Sequence, residues 1–437
     1  MDLTSLSRRV PEVLRLRDFR ALLVTRFTYW FVMSALTVVV GYQVYVLTGD
    51  PLALGLLGLV EAIPALSLSL FGGHLADRRD RRNIYVISQI GMIGSILGLA
   101  ALSLDPGRFG LGGIFAVIFV TGVAGGFERP AYRAFEAQVI PLEHMTRGTS
   151  LSSGTGQLGG ISGPAVGGFL YALIGVTATY AALAAILAIG VLSILLVASR
   201  PVPVVGDRES LRKSLATGVR FVRRSRILLG GMSLDLFAVL FGGAVAMLPI
   251  YATDILHVGP GGLGLLRTAP SVGALLAMTL AAWRPPTARA GLTLLTCVAG
   301  FGVSIIAFAL SRNFALSLFA LFMTGAMDGV SVIIRSVITR LASPEHLRAR
   351  IASVEFLFIG TSNEVGAFES GVAAKFLGVV PSVAIGGTVT LVVVGLVAAL
   401  VPELRGLDLN QPLLSPEDLA AAHVEGLAIT SSTSPFQ

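Results

Sequence analysis

Apolar stretches long enough to cross a lipid bilayer recur along almost the whole chain. A membrane-spanning helix needs about 20 consecutive, mostly apolar residues. Twelve stretches meet this length, at approximately residues 20–47, 52–74, 84–104, 112–139, 148–174, 177–198, 228–254, 262–283, 290–311, 314–340, 351–376 and 380–401. Because a backbone surrounded by lipid has to satisfy its hydrogen bonds internally, each stretch is predicted to be an α-helix. The expected fold class is an all-α membrane protein with twelve transmembrane helices.

The composition excludes an ordinary soluble protein. Only 13% of the residues are charged and 54% are hydrophobic, whereas soluble domains average about 25% charged residues. The net charge of +7 does not indicate nucleic-acid binding, because most Lys and Arg residues lie in the N-terminal segment and in alternate loops. This distribution follows the positive-inside rule and predicts that both termini are cytoplasmic.

The sequence favours neither a metal site nor an enzyme. The single cysteine, Cys297, excludes an intramolecular disulfide and a cysteine-cluster metal site. The five histidines are scattered over predicted loops and tails. A phosphate-binding Gly-x-x-x-x-Gly-Lys-Ser/Thr loop is absent from the sequence, which disfavours ATP as an energy source. We expect no cofactor, no metal and no catalytic residues.

The two halves of the chain look duplicated. Thr121-Gly122 and Pro141 recur as Thr324-Gly325 and Pro344, about 203 residues later. Six-plus-six repeats are typical of transporters whose substrate site lies where the repeats meet. The predicted domains are a cytoplasmic N-terminus (1–19), a six-helix bundle (20–198), a cytoplasmic linker (199–227), a second bundle (228–401) and a disordered cytoplasmic tail (402–437). The linker pattern favours an interfacial amphipathic helix, with a solvated linker as the alternative.

Charged residues inside the spans are distributed selectively. The third, sixth, ninth and twelfth spans have none in their cores. Since a charge at the bilayer centre costs roughly 2.5–3.5 kcal/mol on insertion scales, the charges of the other spans are expected to face a polar cavity. A buried carboxylate holds a proton more readily than one in water. The candidates for binding protons or substrate are Glu61, Asp235, Asp328, Glu355 and Glu364, with Arg26 and Arg129 as candidate partners of an anionic substrate.

Purely structural roles remain as alternatives for these charged residues. Asp328 and Arg335 are seven residues apart, hence on one helix face, and suit a structural ion pair. Arg129 and Arg133, with Glu136, suit a gating or anchoring salt bridge near the cytoplasmic end of the fourth span. Hydrogen bonds between helices are the alternative role for the deeper carboxylates.

The loop between the second and third spans carries acidic and basic residues in a specific order. It reads Gly72-Gly-His-Leu-Ala-Asp-Arg-Arg-Asp-Arg-Arg82. The aspartate ends one helix, and the arginines can reach a neighbouring helix end or an acidic group. We therefore predict an ionic latch on the cytoplasmic side, with plain positive-inside anchoring as the alternative. The residues of this gate motif are Gly73, Asp77, Arg78, Arg81 and Arg82.

Helix-breaking residues are concentrated in the fifth span, at residues 159–168. In a soluble helix each Gly costs about 1 kcal/mol and an interior Pro about 3 kcal/mol. In lipid, small residues let neighbouring helices approach closely. We predict a close-packed, slightly kinked helix contact that acts as a hinge. Its residues are Gly159, Gly163, Pro164, Gly167 and Gly168.

These motifs resemble those of the major facilitator superfamily. The gate loop is similar to that family's Gly-x-Leu-Ala-Asp-Arg-x-Gly-Arg-Arg/Lys signature, with Asp80 in place of the second Gly. Residues 159–168 are similar to its antiporter motif, Gly-x-x-x-Gly-Pro-x-x-Gly-Gly, although Ser150 stands where the family has an upstream Gly. Residues 130–134, 139–143 and 362–371 resemble the enterobactin-exporter and macrolide-efflux branch.

The resemblance implies the major facilitator fold, with two six-helix pseudo-repeats, in the inner membrane of a bacterium. It also implies a monomeric proton antiporter that exports a small molecule, such as a catecholate siderophore or an amphiphilic drug. Protons, substrate and the lipid bilayer are then its partners. A proton-coupled uptake symporter, and a non-transporting receptor or scaffold, stay open as alternatives.

Overall fold

The computed structural model describes residues 12–198, 219–223, 225–343 and 347–410. Within these ranges the regular structure is helical, and no β-strand occurs. The predicted all-α fold class is confirmed. Ten segments of the described ranges are long and apolar enough to span a membrane. One of them, Leu142–Leu195, contains two helices. The 30-residue helix Arg348–Leu377 is long enough but is not one of these ten segments, and with it the described residues form twelve long helical spans.

The helices follow the predicted spans closely, because the length of each apolar stretch sets the length of its helix. Their bounds are α1 Arg17–Thr48, α2 Pro51–Arg78, α3 Arg81–Leu102, α4 Pro106–Val139, α5 145–174 and α6 176–195 within Met145–Leu195, α7 Arg226–Phe241, α8 Gly259–Trp283, α9 Ala290–Leu310, α10 Phe314–Ala342, α11 Arg348–Leu377 and α12 Val379–Leu400. Gly175, with φ of 77°, separates α5 from α6. This left-handed conformation favours glycine because it has no Cβ.

The seventh span differs from the continuous helix that the sequence predicts. After α7 the chain breaks at Gly242 and Gly243, resumes as the helix Ala244–Ile250 and ends in a π-helical turn at Tyr251–Ile255. A Cβ at Gly243 would overlap the side chain of Ser370 on α11. The close approach of α11 therefore requires a small residue at this break.

The described helices form two compact units. The first takes in Ala246–Thr268 and the described part of Met1–Gly206, and the second the described parts of Asp207–Val245 and Ala269–Gln437. The core of the first unit is built around α1, α3 and α4, and includes the fully buried rings of Tyr85 and Tyr132. The core of the second unit is built around α7, α9 and α10.

Two predictions about connecting segments have different outcomes. Most of the predicted amphipathic helix in the linker (199–218 and residue 224) lies outside the described residues, and 219–223 is helical. The prediction of a disordered tail is wrong for its first residues, because Pro402–Arg405 forms a short helix. Leu404 is fully buried in the core of the second unit, and the amide of Gly291 donates to the carbonyl of Leu407 at 3.2 Å.

Glycines bring α1 and α5 into close contact in the first unit. A Cβ at Gly159 would lie 2.6 Å from the carbonyl oxygen of Phe27, and one at Gly167 would lie 2.8 Å from the Cβ of Ala35. At Gly163 an added Cβ would overlap the backbone of Phe31. These spacings leave room only for hydrogen atoms between the two helices. The hinge role of this contact stays a prediction.

Candidate functional site

Three charged side chains of the second unit meet between α7 and α10. Arg335 on α10 pairs with Asp235 on α7, and its other terminal nitrogen lies 3.5 Å from the carboxylate of Asp328 on its own helix. The seven-residue spacing indeed places Asp328 and Arg335 on one face of α10. Arg335 is only 9% exposed, so its charge depends on these two carboxylates.

Asp235 and Arg335 of this cluster line a pocket. The pocket has about 410 Å³ of empty space, part of it open to solvent. Glu355 on α11 also lines it and interacts electrostatically with Arg335 and Asp235. Its apolar walls come from Leu228, Met232, Leu236, Ile338, Phe358 and Ile359.

The charges around this pocket do not balance. Of the described residues that line the pocket, Asp235 and Glu355 are acidic and Arg335 alone is basic, and Asp328 adds a third carboxylate through its contact with Arg335. In an environment of low dielectric constant, excess charge of one sign is costly. A proton or a cationic group that enters the pocket therefore lowers its electrostatic energy.

A second group of charged and aromatic side chains lies in the first unit. The guanidinium carbon of Arg26 on α1 lies 4.5 Å from the ring centre of Tyr132 and 5.3 Å from that of Trp30. Such cation–π contacts are favourable by about 0.5–2 kcal/mol. Gly156 on α5 leaves the space for them, since a Cβ there would lie 3.0 Å from the Nε of Arg26.

Arg129 and Glu61 also lie in the first unit and interact with each other. The Arg129 guanidinium on α4 interacts electrostatically with Glu61 on α2, and with Tyr29 and Glu128. Glu61 and Arg129 are both exposed. The structure thus brings together three sequence-predicted candidates, Arg26, Glu61 and Arg129, around the α1–α4 contact.

Glu128 is not among the candidates predicted from the sequence. This residue is 1% exposed and lies deeper in the unit than its neighbour Arg129. A carboxylate inside a span is a candidate by itself. That signal was present, but the adjacent arginines favoured a simple salt bridge. Successive residues on a helix point about 100° apart, so Glu128 and Arg129 face different surroundings.

Glu364 lies apart from the pocket of the second unit. It is half-buried on α11, about two and a half turns beyond Glu355. It is not one of the described residues that line the pocket. The structure therefore does not join this candidate to the group formed by Asp235, Asp328 and Glu355.

The gate motif ties helix ends together within the first unit. Arg81 lies 3.9 Å from Asp77, and donates to the carbonyls of Ala76 at 3.1 Å and Ala134 at 3.3 Å. Arg82 donates to the carbonyls of Ile194 and Leu195 at the end of α6, at 3.2 and 2.6 Å. A cation at a helix C-terminus satisfies free carbonyls and complements the helix dipole.

Two positions of this motif gain a physical explanation. Asp80, which stands in place of the signature glycine, is the N-cap of α3, and its carboxylate accepts from the amide of Asn83 at 3.2 Å. Gly73 has open space around it, whereas a Cβ at Gly72 would lie 2.5 Å from the carbonyl of Gly126 on α4. The close helix contact therefore depends on Gly72. Arg78 is exposed at the end of α2.

Comparison with known families gives one match that covers most of the chain. A family model described as Major Facilitator Superfamily matches residues 22–291. An enterobactin exporter of Shigella dysenteriae serotype 1 is 26% identical over 408 residues, which cover 92% of this chain and 95% of that protein. An enterobactin exporter of Escherichia coli (strain SMS-3-5 / SECEC) shows the same identity and coverage.

Solved structures of transporters share the fold. A POT family transporter in complex with 5-aminolevulinic acid has a TM-score of 0.71 at 14% identity, over 89% of this chain and 96% of that chain. The nucleoside transporter NupG has a TM-score of 0.67 at 15% identity, over 89% and 98% of the two chains. At such identities the likeness establishes a common fold and carries no information about the substrate.

Proposed function

Since the chain belongs to the major facilitator superfamily, we propose that it is a proton-coupled exporter of a small organic solute, such as a siderophore or an amphiphilic drug. Family membership makes the chain a multi-pass membrane transporter of small molecules and not an enzyme. The proposal adds the direction of transport, the coupling ion and the class of solute. It places the protein in a bacterial inner membrane, as a monomer with both termini in the cytoplasm.

The observation that carries the proposal is the uncompensated acidic pocket of the second unit. Asp235 and Glu355 line it together with Arg335, and a proton or a solute cation relieves the same excess of negative charge. Two ligands that relieve one charge imbalance compete for it, and competition between proton and solute is the basis of antiport. Asp328 contributes to the imbalance through its contact with Arg335.

Export, as opposed to uptake, is supported by two further observations. Enterobactin exporters are similar to this chain over 92% of its length. The glycine-rich face of α5, which resembles the antiporter motif, packs directly on α1. The membrane potential is an adequate energy source, since one charge that crosses 100 mV contributes about 2.3 kcal/mol. This energy sustains a solute gradient of roughly 50-fold per proton.

A two-stage experiment tests the proposal. A strain deleted for the gene is screened for sensitivity to siderophores, macrolides and cationic dyes, and the active compound is then followed in proteoliposomes with an imposed pH gradient. We expect efflux that collapses with a protonophore. Asp235→Asn and Glu355→Gln should abolish proton-driven transport. Glu143→Gln, whose side chain is 77% exposed, is the matched control.

The alternatives predict different outcomes. A proton symporter for uptake accumulates the solute on the side opposite to that expected here. A receptor or scaffold moves none of the tested compounds, and neutralisation of Asp235 and Glu355 then affects folding alone. Either result contradicts proton-coupled export.

A further inference from the structure

Glu128 is a buried acid that the pocket of the second unit does not use. It is 1% exposed on α4, in the first unit. Both carboxylate oxygens are shielded from solvent and form no ion pair or hydrogen bond of good geometry with the described residues, although the hydroxyl of Tyr29 interacts with the carboxylate. The loss of hydration of a buried charged group is costly unless an ion pair or hydrogen bonds offset it. An acid in this situation requires a physical explanation.

The groups that face Glu128 come from several helices. They are Arg26 and Tyr29 on α1, Tyr85 on α3, and Arg129, Tyr132 and Arg133 on α4 itself, while Glu61 on α2 acts through Arg129. Arg129 interacts with Glu61 and Tyr29, and Arg26 rests on aromatic rings.

Arg26 is also incompletely satisfied. Its Nε is buried and has no hydrogen-bond partner among the described residues. Its guanidinium lies over the rings of Tyr132 and Trp30, at 4.5 and 5.3 Å from their centres. The Glu128 carboxylate on α4 and the unpartnered Nε of Arg26 on α1 therefore lie within electrostatic range of each other, and the described residues show no ion pair between them. Such an arrangement is stable when the acid is neutral, because an ionised carboxylate attracts the guanidinium away from the rings.

We propose that Glu128 is a proton-binding site, and that its proton decides whether Arg26 rests on Trp30 and Tyr132 or pairs with the carboxylate. With the proton bound, Glu128 is a neutral carboxylic acid and Arg26 stays on the rings. When the O–H bond breaks, the carboxylate keeps the electron pair and the proton leaves to water. Arg26 then moves onto the carboxylate, and the two groups become paired.

This inference rests on the proposed proton coupling only for its role in transport. A proton held at the α1–α4 contact changes the position of Arg26 beside Gly156 of α5, where no side chain limits the movement. The state of Glu128 is thereby connected to the contact between α1 and α5. The proton-dependent movement itself is measurable without any substrate.

The tryptophans provide the measurement. The chain contains two, so Trp283→Phe leaves Trp30 as the only one, and its emission depends on a cation over its ring. Full-length Trp283→Phe protein in lipid nanodiscs is titrated between about pH 5 and pH 9, a range that brackets perturbed carboxylates. We expect a one-proton transition in Trp30 emission. Glu128→Gln should abolish it, while Glu61→Gln, the nearest exposed carboxylate on α2, should retain it.

Infrared difference spectra between low and high pH give an independent readout. The carbonyl stretch of a protonated carboxylic acid should appear in the parent and be lost in Glu128→Gln. If that variant does not fold, Arg26→Gln tests the same pair, since loss of the cation should also abolish the Trp30 transition. The proposal is overturned by a parent without a transition, by a transition that survives Glu128→Gln, or by one that Glu61→Gln removes. Uncoupled transport by the unaltered protein contradicts only the proposed function.

Discussion

The contact between α1 and α5 predicts a sharp difference between two adjacent glycines. A Cβ added at Gly159 would lie 2.6 Å from the carbonyl oxygen of Phe27 and 2.9 Å from the amide nitrogen of Phe31. Both atoms are backbone, so no side chain can rotate away and the helices have to separate. A Cβ added at Gly160 would have no heavy atom of a neighbouring helix within 4 Å. Gly159→Ala should therefore destabilise the protein, and Gly160→Ala should not.

The expected magnitude follows from the comparison of the two variants. Alanine is better than glycine in a helix interior by up to about 1 kcal/mol, and this gain applies equally at both positions. Insertion of a methyl group into a close-packed contact costs about 1–3 kcal/mol. The free energy of unfolding of Gly159→Ala should thus lie about 1–3 kcal/mol below that of Gly160→Ala.

Unfolding of the purified, full-length protein by sodium dodecyl sulfate in mixed micelles measures this difference. A solute efflux assay on the same variants shows whether the contact also matters for transport. If the two unfolding free energies agree within about 0.5 kcal/mol, the usual effect of a surface substitution, the close approach of α1 and α5 at Gly159 is refuted. The conclusion does not depend on the identity of the solute.

Three further substitutions test individual contacts by the same unfolding assay. Arg335→Ala removes the partner of the buried Asp235 carboxylate and should lower the free energy of unfolding by about 3–5 kcal/mol. Arg335→Lys keeps the positive charge, so a smaller loss for Arg335→Ala than for Arg335→Lys would contradict the ion pair. Asp80→Ala removes the N-cap of α3 and should cost about 0.5–2 kcal/mol, against a few tenths for Asp80→Gly; equal losses would exclude the capping role. Tyr45→Phe removes the hydroxyl that donates to Asp254 and should cost about 1.5–3 kcal/mol, a prediction that an unchanged unfolding free energy would sink.

The helices were predictable because their boundaries depend on local composition. The ninth span, expected at 290–311, is observed as Ala290–Leu310, and its ends coincide with the loss of apolar residues. The break at Gly242 and Gly243 was not predictable in the same way. It depends on the side chain of Ser370, which approaches from α11 and is far away in the sequence.

In the candidate site, too, contacts within one helix were predictable and contacts between helices were not. The spacing of Asp328 and Arg335 places them on one helix face, and the structure has them in contact. The pairing of Arg335 with Asp235 joins two helices, and a single sequence contains no signal for which faces meet. Leu404 shows the same limit, because the tail from residue 402 was predicted to be disordered, whereas the Leu404 side chain is buried in the core of the second unit.

The N-cap role of Asp80 indicates which residues this position of the gate motif accepts. Glycine and aspartate look unrelated in size and charge, yet both are accepted at the first position of a helix. The backbone of Asp80, with φ of −60° and ψ of 114°, is accessible to any residue. What this position requires is a helix start, so Ser, Asn and Thr should substitute there as well. The glycine of the signature is therefore one of several residues that can begin a helix, and the need to begin α3 is the constraint that folding imposes on this position.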